Sequence, residues 1–167
     1  GGSDGVAQPL DHRLAARSPA ENPGVVQICV PVSGGSVADV ERQIAQARAE
    51  GADLAELRLD LCANAGAEVR SLVAAIGSWP LPVMATCRCR DEGGAWAGDE
   101  TDRLALLLEA DARGAALIDV ELAALPRLPR RPTHARLVLS YHDFAGMGCD
   151  LAGRVAAMRA AGADIAK

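Results

Sequence analysis

The chain has 167 residues, 50% of them hydrophobic, with 17 Lys and Arg against 22 Asp and Glu and a formal net charge of −5. A domain with a sizeable core is within reach of that composition, whereas a nucleic-acid binder would concentrate cationic side chains on one face. No apolar run approaches the roughly 20 residues of a membrane-spanning helix, so neither nucleic acid nor membrane is an expected partner.

Residues 1–24 mix Gly, Pro, Ser and charge without a period and are expected to form a flexible leader or linker. From residue 25 onward, short apolar runs alternate with longer amphipathic segments. The run VVQICVPV (25–32) predicts a strand, and SVADVERQIAQARAEG predicts a helix with Ser36 as N-cap and Gly51 just past its end. LAELRLD (54–60) predicts a second strand, followed by a helix from Ala67 to Ser78. PVMATCR (82–88) predicts a third strand, followed by a helix from Asp99 to Arg113. ALIDVEL (116–122) and ARLVLSYHD (135–143) predict the fourth and fifth strands, with LAGRVAAMRAAG as a helix and ADIAK as the start of a sixth strand. The Pro-rich ALPRLPRRPTH between strands four and five leaves little room for a helix.

The five cysteines have no regular spacing and are expected to be reduced thiols of an intracellular protein. Cys87 and Cys89 form a C-x-C pair without a second Cys or His pair, so no metal is expected.

Three helix exits share one phrase, AEGAD, ARGAA and AAGAD, each with a Gly (51, 114, 162) at the cap and a strand following. Such repetition is the mark of βα units around a parallel sheet, either a doubly wound open sheet or a (β/α)₈ barrel. PVSGGSVAD only weakly approximates the phosphate-cradling glycine fingerprint of dinucleotide folds, which favours the barrel.

Residues two apart on a strand share a face. AELRLD therefore puts Glu56, Arg58 and Asp60 on one side and Leu57, Leu59 and Leu61 on the other. The apolar side belongs to the helices, so the charges point inward. Thr86 and Arg88, Asp119 and Glu121, Ser140 and His142, and finally Lys167 repeat the pattern, each near the carboxyl end of its strand, where barrels build their sites. Asp119 and Glu121 read equally well as caps and ion pairs at the barrel mouth. An ammonium among Arg58 and Arg88, partly desolvated, is expected to have its pKa drawn down from about 10.4 toward neutrality, as a Schiff-base nucleophile requires. A nearby histidine supplies a proton carrier.

The motifs ELRLD, TCRCRDEGG, IDVEL, SYHDF and GADIAK follow one another in the order and spacing of type I 3-dehydroquinate dehydratase, a family this sequence resembles over residues 25–167. DEGGAWAGDETDRL looks particularly like the plant-type domain fused to shikimate dehydrogenase. The resemblance implies a (β/α)₈ TIM barrel of which this chain, as a C-terminally truncated partial barrel, carries about six units. It implies conversion of 3-dehydroquinate to 3-dehydroshikimate and water in the shikimate pathway, with no cofactor beyond a covalent imine. Carried over motif by motif, Lys167 is the imine-forming amine and His142 the general acid/base, with Glu92 as its partner. Glu56, Arg58 and Arg88 then bind the ring hydroxyls of the substrate and tune the lysine.

The resemblance points to the cytoplasm, or to the plastid stroma for a plant-type enzyme, and leaves room for a homodimer and for a fused shikimate dehydrogenase domain. Six strands expose two sheet edges, so these residues alone are expected to be poorly stable and to have little dehydratase activity. A class I aldolase-type barrel and an inactive fragment stay open as alternatives.

Overall fold

The computed structural model describes residues 26–62, 67–146 and 150–167, so the leader at 1–24, the first residue of the predicted first strand and Cys149 lie outside the described residues. Six strands, β1 (Cys29–Val32), β2 (Leu54–Arg58), β3 (Val83–Thr86), β4 (Leu117–Glu121), β5 (Arg136–Ser140) and β6 (Ile165–Ala166), form one sheet. They pair in chain order and every pair is parallel. Helices α1 (Val37–Ala49), α2 (Ala67–Ala75), α3 (Glu100–Ala112) and α4 (Leu151–Ala160) follow β1, β2, β3 and β5. Between β4 and β5 the prolines admit only a 3-10 turn, Leu125–Arg127.

Strictly sequential order excludes the doubly wound sheet, whose strand order reverses at a switch point. Curvature confirms the barrel. In a flat sheet, β2 and β6 would lie four spacings, roughly 19 Å, apart. Yet Nζ of Lys167, just past β6, is 2.9 Å from Oε1 of Glu56 on β2. The sheet curls far enough for its second and sixth strands to face each other across the interior.

Alternation sorts the strands into two faces. Outward, Ala55, Leu57, Leu59, Val83, Ala85, Cys87, Ile118, Val120, Leu137 and Leu139 pack with Val40, Ile44, Leu72, Val73, Leu104 and Leu107 of the helices. Inward, Leu54, Met84, Leu117 and Val138 form a separate apolar cluster near the amino ends of β2 to β5. Above this plug the inward positions carried by β2 to β5 and the segments just after them are polar: Glu56 and Arg58, Thr86 and Arg88, Asp119 and Glu121, Ser140 and His142.

The helix exits use the backbone as their glycines suggest. Gly51, Gly114 and Gly162 have φ of +95°, +92° and +81°, the left-handed conformation that ends a helix. Asp53 and Asp164, two residues beyond Gly51 and Gly162, turn back onto the preceding strand: the N–H of Ile28 donates to Asp53 at 2.8 Å and that of Leu137 to Asp164 at 2.7 Å. Ser36 caps α1 as expected, accepting from Asp39 N.

Two local expectations are corrected. β2 stops at Arg58, so Leu61 sits in a turn and is 48% exposed instead of joining the apolar face. The second helix gives way after Ala75 to a 3-10 turn, Ile76–Ser78, where a Cβ on Gly77 would meet the carbonyl of Arg113 at 2.9 Å.

Candidate active site

The polar layer opens at the carboxyl end of the strands, and its centre is Lys167. Nζ donates to Glu56 Oε1 at 2.9 Å and to Asp119 Oδ2 at 3.0 Å. Each carboxylate is held in turn. Thr86 Oγ1 donates to the same oxygen of Glu56 at 2.8 Å. Asp119, whose side chain is fully buried, accepts from Arg88 Nη2 at 2.7 Å on Oδ2 and from the hydroxyl of Ser140 on Oδ1. Strands β2, β3, β4 and β5 thus each contribute one inward residue to a shell around the amine.

Arg88 is committed to this shell. Only 4% exposed, it also donates to Ser140 Oγ at 2.6 Å and lies 3.1 Å from Glu121 Oε1. The other oxygen of Glu121 faces Arg103 Nη1 at 2.8 Å, an ion pair without hydrogen-bond alignment. Arg103, fully buried on α3, closes on Glu100 and donates to the carbonyl of Cys87. Charges therefore alternate without a break through Glu100, Arg103, Glu121, Arg88, Asp119, Lys167 and Glu56. Alternation answers the desolvation that makes isolated buried ions so costly. Arg58 takes a separate partner, reaching Asp60 with two bonds of 2.9 and 2.8 Å.

The second group of residues sits on the neighbouring rim. After β3 a 3-10 turn, Arg90–Glu92, ends at Gly93 with φ of +78°. It aims Glu92 at the segment following β5. Glu92 Oε2 accepts from the backbone N–H of His142 at 2.9 Å and lies 3.1 Å from its Nδ1. Phe144, 77% exposed, stacks beside the imidazole with ring centroids 6.4 Å apart. The two groups adjoin through the sheet, where the N–H of Tyr141 donates to the carbonyl of Lys167 at 3.1 Å.

One electrostatic expectation is overturned. Burial does lower the pKa of Lys167, but the carboxylates of Asp119 and Glu56 outweigh it and raise the amine above the ordinary lysine value. Arg58 and Arg88 fail to depress it because each is already matched by its own carboxylates. Burial likewise pushes Asp119 up, yet Arg88 and Lys167 prevail and hold it below the carboxylate range. Cys29 on β1, which senses both Glu56 and Lys167, is pushed up to about 11, chiefly by desolvation.

Of the residues expected at the site, the structure joins Lys167 to Glu56 and His142 to Glu92, and connects Arg88 to Lys167 through Asp119. Arg58 lies on the same inward face, bound to Asp60. Sequence reasoning placed Asp119, Ser140 and Thr86 on the inward face at the site end of the strands but gave them no catalytic or binding role; the structure shows Asp119 on the amine, with Thr86 and Ser140 bound to the two carboxylates that hold it. An ammonium flanked by two carboxylates, beside a carboxylate-oriented imidazole, has what carbonyl chemistry needs: a nucleophile, routes for its proton and a separate acid/base.

The sequence profile of the family described as type I 3-dehydroquinase matches residues 28–167. A 3-dehydroquinate dehydratase of Methanothrix thermoacetophila is 38% identical over 133 residues, covering 78% of this chain and 56% of its own length. The bifunctional 3-dehydroquinate dehydratase/shikimate dehydrogenase, chloroplastic, of Arabidopsis thaliana is 34% identical, covering 88% of this chain and 25% of its own. Among solved structures, 3-dehydroquinate dehydratase of Geobacillus kaustophilus superposes with a TM-score of 0.75 at 26% identity, over 86% of this chain and 61% of that one. The match spans 42–59% of the length of the single-function relatives.

Proposed function

This chain belongs to the type I 3-dehydroquinase family, and from that premise we propose that it carries the imine-forming part of a dehydratase acting on 3-dehydroquinate. The observation that carries the proposal is the position of Lys167, held inside the curled sheet by Glu56 and Asp119 with the His142–Glu92 pair on the adjoining strand end.

Lys167, once it has given up a proton, attacks the C3 ketone; the carbinolamine loses water and a C=N bond replaces C=O. The iminium is an electron sink, so the C2 proton becomes acidic without a metal or an organic cofactor. With Nδ1 turned to Glu92, Nε2 of His142 is the nitrogen left to take that proton. The electron pair moves to the imine nitrogen and returns as the β-hydroxyl leaves, protonated by His142, as water. Hydrolysis of the product imine restores the amine and releases 3-dehydroshikimate. Glu56, Arg58 and Arg88 are the groups proposed to meet the ring hydroxyls. For Arg58 and Arg88 this requires sharing with Asp60 and Asp119.

The same premise extends to the cytoplasm as location and, on the strength of the bifunctional Arabidopsis relative, to a fused shikimate dehydrogenase domain in the parent protein. Borohydride reduction in the presence of dehydroquinate, followed by mass mapping, tests the central claim. A stable adduct on Lys167, absent from Lys167→Met, is the expected result; no adduct, or one that survives the substitution, overturns it.

A further inference from the structure

Two carboxylates touch the amine, and they are not equivalent. Glu56 is partly exposed and its other acceptor contact is a neutral hydroxyl. Asp119 has no exposed side-chain surface, and both its oxygens are engaged, one by Ser140 and the other by Arg88 and Lys167 together. It cannot rotate without breaking its bonds to Arg88, Ser140 and Lys167 at once.

We propose that Asp119 is a positioning residue for Lys167, the fixed point that holds the amine inside the barrel and sets its charge state. The proposal deepens the dehydratase reading and rests on Lys167 being the imine-forming amine.

Three features support it. A lysine side chain is flexible and at 34% exposure is not fixed by packing, so its place is decided by what Nζ binds. Arg88 holds Asp119 from behind and is itself braced by Glu121, which couples the carboxylate's position to the whole ion chain. Among the described residues, the groups facing the amine are Glu56 from β2, Asp119 from β4 and Cys29 from β1, the last un-ionised well past neutral pH. Of the charges, only Asp119 is also bound to a buried cation. Removing its charge leaves Arg88 facing the amine's side of the shell, and the ammonium then sheds its proton at lower pH.

Lys167 is the only lysine of the chain, so amine chemistry reads it directly. The test is competitive acetylation of Lys167 against pH, followed by mass spectrometry, on the wild type and on Asp119→Asn. We expect the labelling midpoint of D119N to fall by at least one pH unit, a tenfold rise in free amine at a given pH below it. Should D119N fail to fold because the buried Arg88 has lost one of its two carboxylates, the double variant D119N/R88M removes both charges and is expected to move the midpoint in the same direction. Asp119→Glu restores the charge but displaces it by a methylene. Its midpoint should return toward wild type while borohydride trapping with dehydroquinate remains slower. A midpoint unmoved in the folded neutral variant, or D119E trapping as fast as wild type, overturns the proposal. Acetylation needs no substrate, so an unmoved midpoint counts against Asp119 alone, whereas failure of wild-type trapping counts against the dehydratase reading.

Discussion

A single carboxylate oxygen of Glu92 meets His142 twice, 2.9 Å from its backbone nitrogen and 3.1 Å from Nδ1 of its ring. The first contact fixes where the residue sits and the second which way the imidazole faces. Glu92→Ala removes both, and the rate of imine trapping is expected to fall by about tenfold or more, within the range that general acid/base catalysis supplies. Glu92→Gln keeps one acceptor oxygen and is expected to fall in between. An alanine variant trapping as fast as wild type would show that His142 needs no such partner.

Arg103 lies outside the barrel yet has no exposed side-chain surface, and it faces Glu100, Glu121 and the carbonyl of Cys87. Replacing it by Met leaves Glu121 with one cation, Arg88, and the backbone N–H of Cys89, both on Oε1, and, among the described residues, nothing facing Oε2. Breaking a buried pair from one side costs about 3–5 kcal/mol, so Arg103→Met should lower the urea midpoint markedly. Arg103→Lys, which keeps the charge but loses the planar fork, should recover only part of it.

Asp111 is the buried anchor of the Pro-rich crossover. It accepts from the backbone N–H groups of Thr133, His134 and Ala135 at 2.8–2.9 Å and from Arg130 at 3.1 Å. Burial alone would raise its pKa, but these donors outweigh it and hold the carboxyl far below the usual range. A depressed folded pKa means the contribution is complete above the unfolded value, about 4, and is lost as pH falls through the folded one. Asp111→Asn should therefore be less stable than wild type at pH 7 by about 2–3 kcal/mol, with the gap closing in acid. Denaturant titrations at pH 7 and pH 3 check this, and a gap that widens in acid contradicts it.

At Gly94 a Cβ would stand 2.0 Å from the carbonyl oxygen and 2.4 Å from the carbonyl carbon of Arg88. Those are backbone atoms at the end of β3 and cannot swing aside. Gly94→Ala is expected to cost about 2–3 kcal/mol and to slow trapping as well, because the shifted turn carries Glu92 away from His142. Loss of stability with undiminished trapping would separate the turn from the site.

Much of the architecture was legible from periodicity alone. The switch between strand and helix patterns located all six strands, and the Gly-Ala-Asp exits marked where two of them begin. β2, β3 and β5 ended earlier than their expected runs because the last residues, such as Cys87 and Arg88, leave the ladder to form the rim, whereas β1 ended as expected and began later, at Cys29. Alternation also assigned the inward face correctly. It could not say which inward residues meet, since that depends on stagger and curvature: Lys167 pairs with Glu56, 111 positions away and across the interior. Hence Asp119, evenly balanced in the sequence between a cap or ion pair at the rim and a member of the site, proved to be an ion-pair partner of both Arg88 and the amine, and the arginines thought to depress the lysine proved to be already matched.

Asp53 and Asp164 do at the base of the sheet what a gauge mark does on a machine. Each carboxylate grips a backbone N–H at the start of the strand beside it, Ile28 just before β1 and Leu137 near the beginning of β5, and so locks neighbouring strands against sliding. A slip of one residue would turn every side chain to the opposite face, sending Glu56 among the helices or Lys167 out toward α4. Lys167 stands three residues beyond Asp164, and Glu56 three beyond Asp53. The meeting of amine and carboxylate at the open end is thus dimensioned from two identical fittings at the closed end, the same short offset counted off twice.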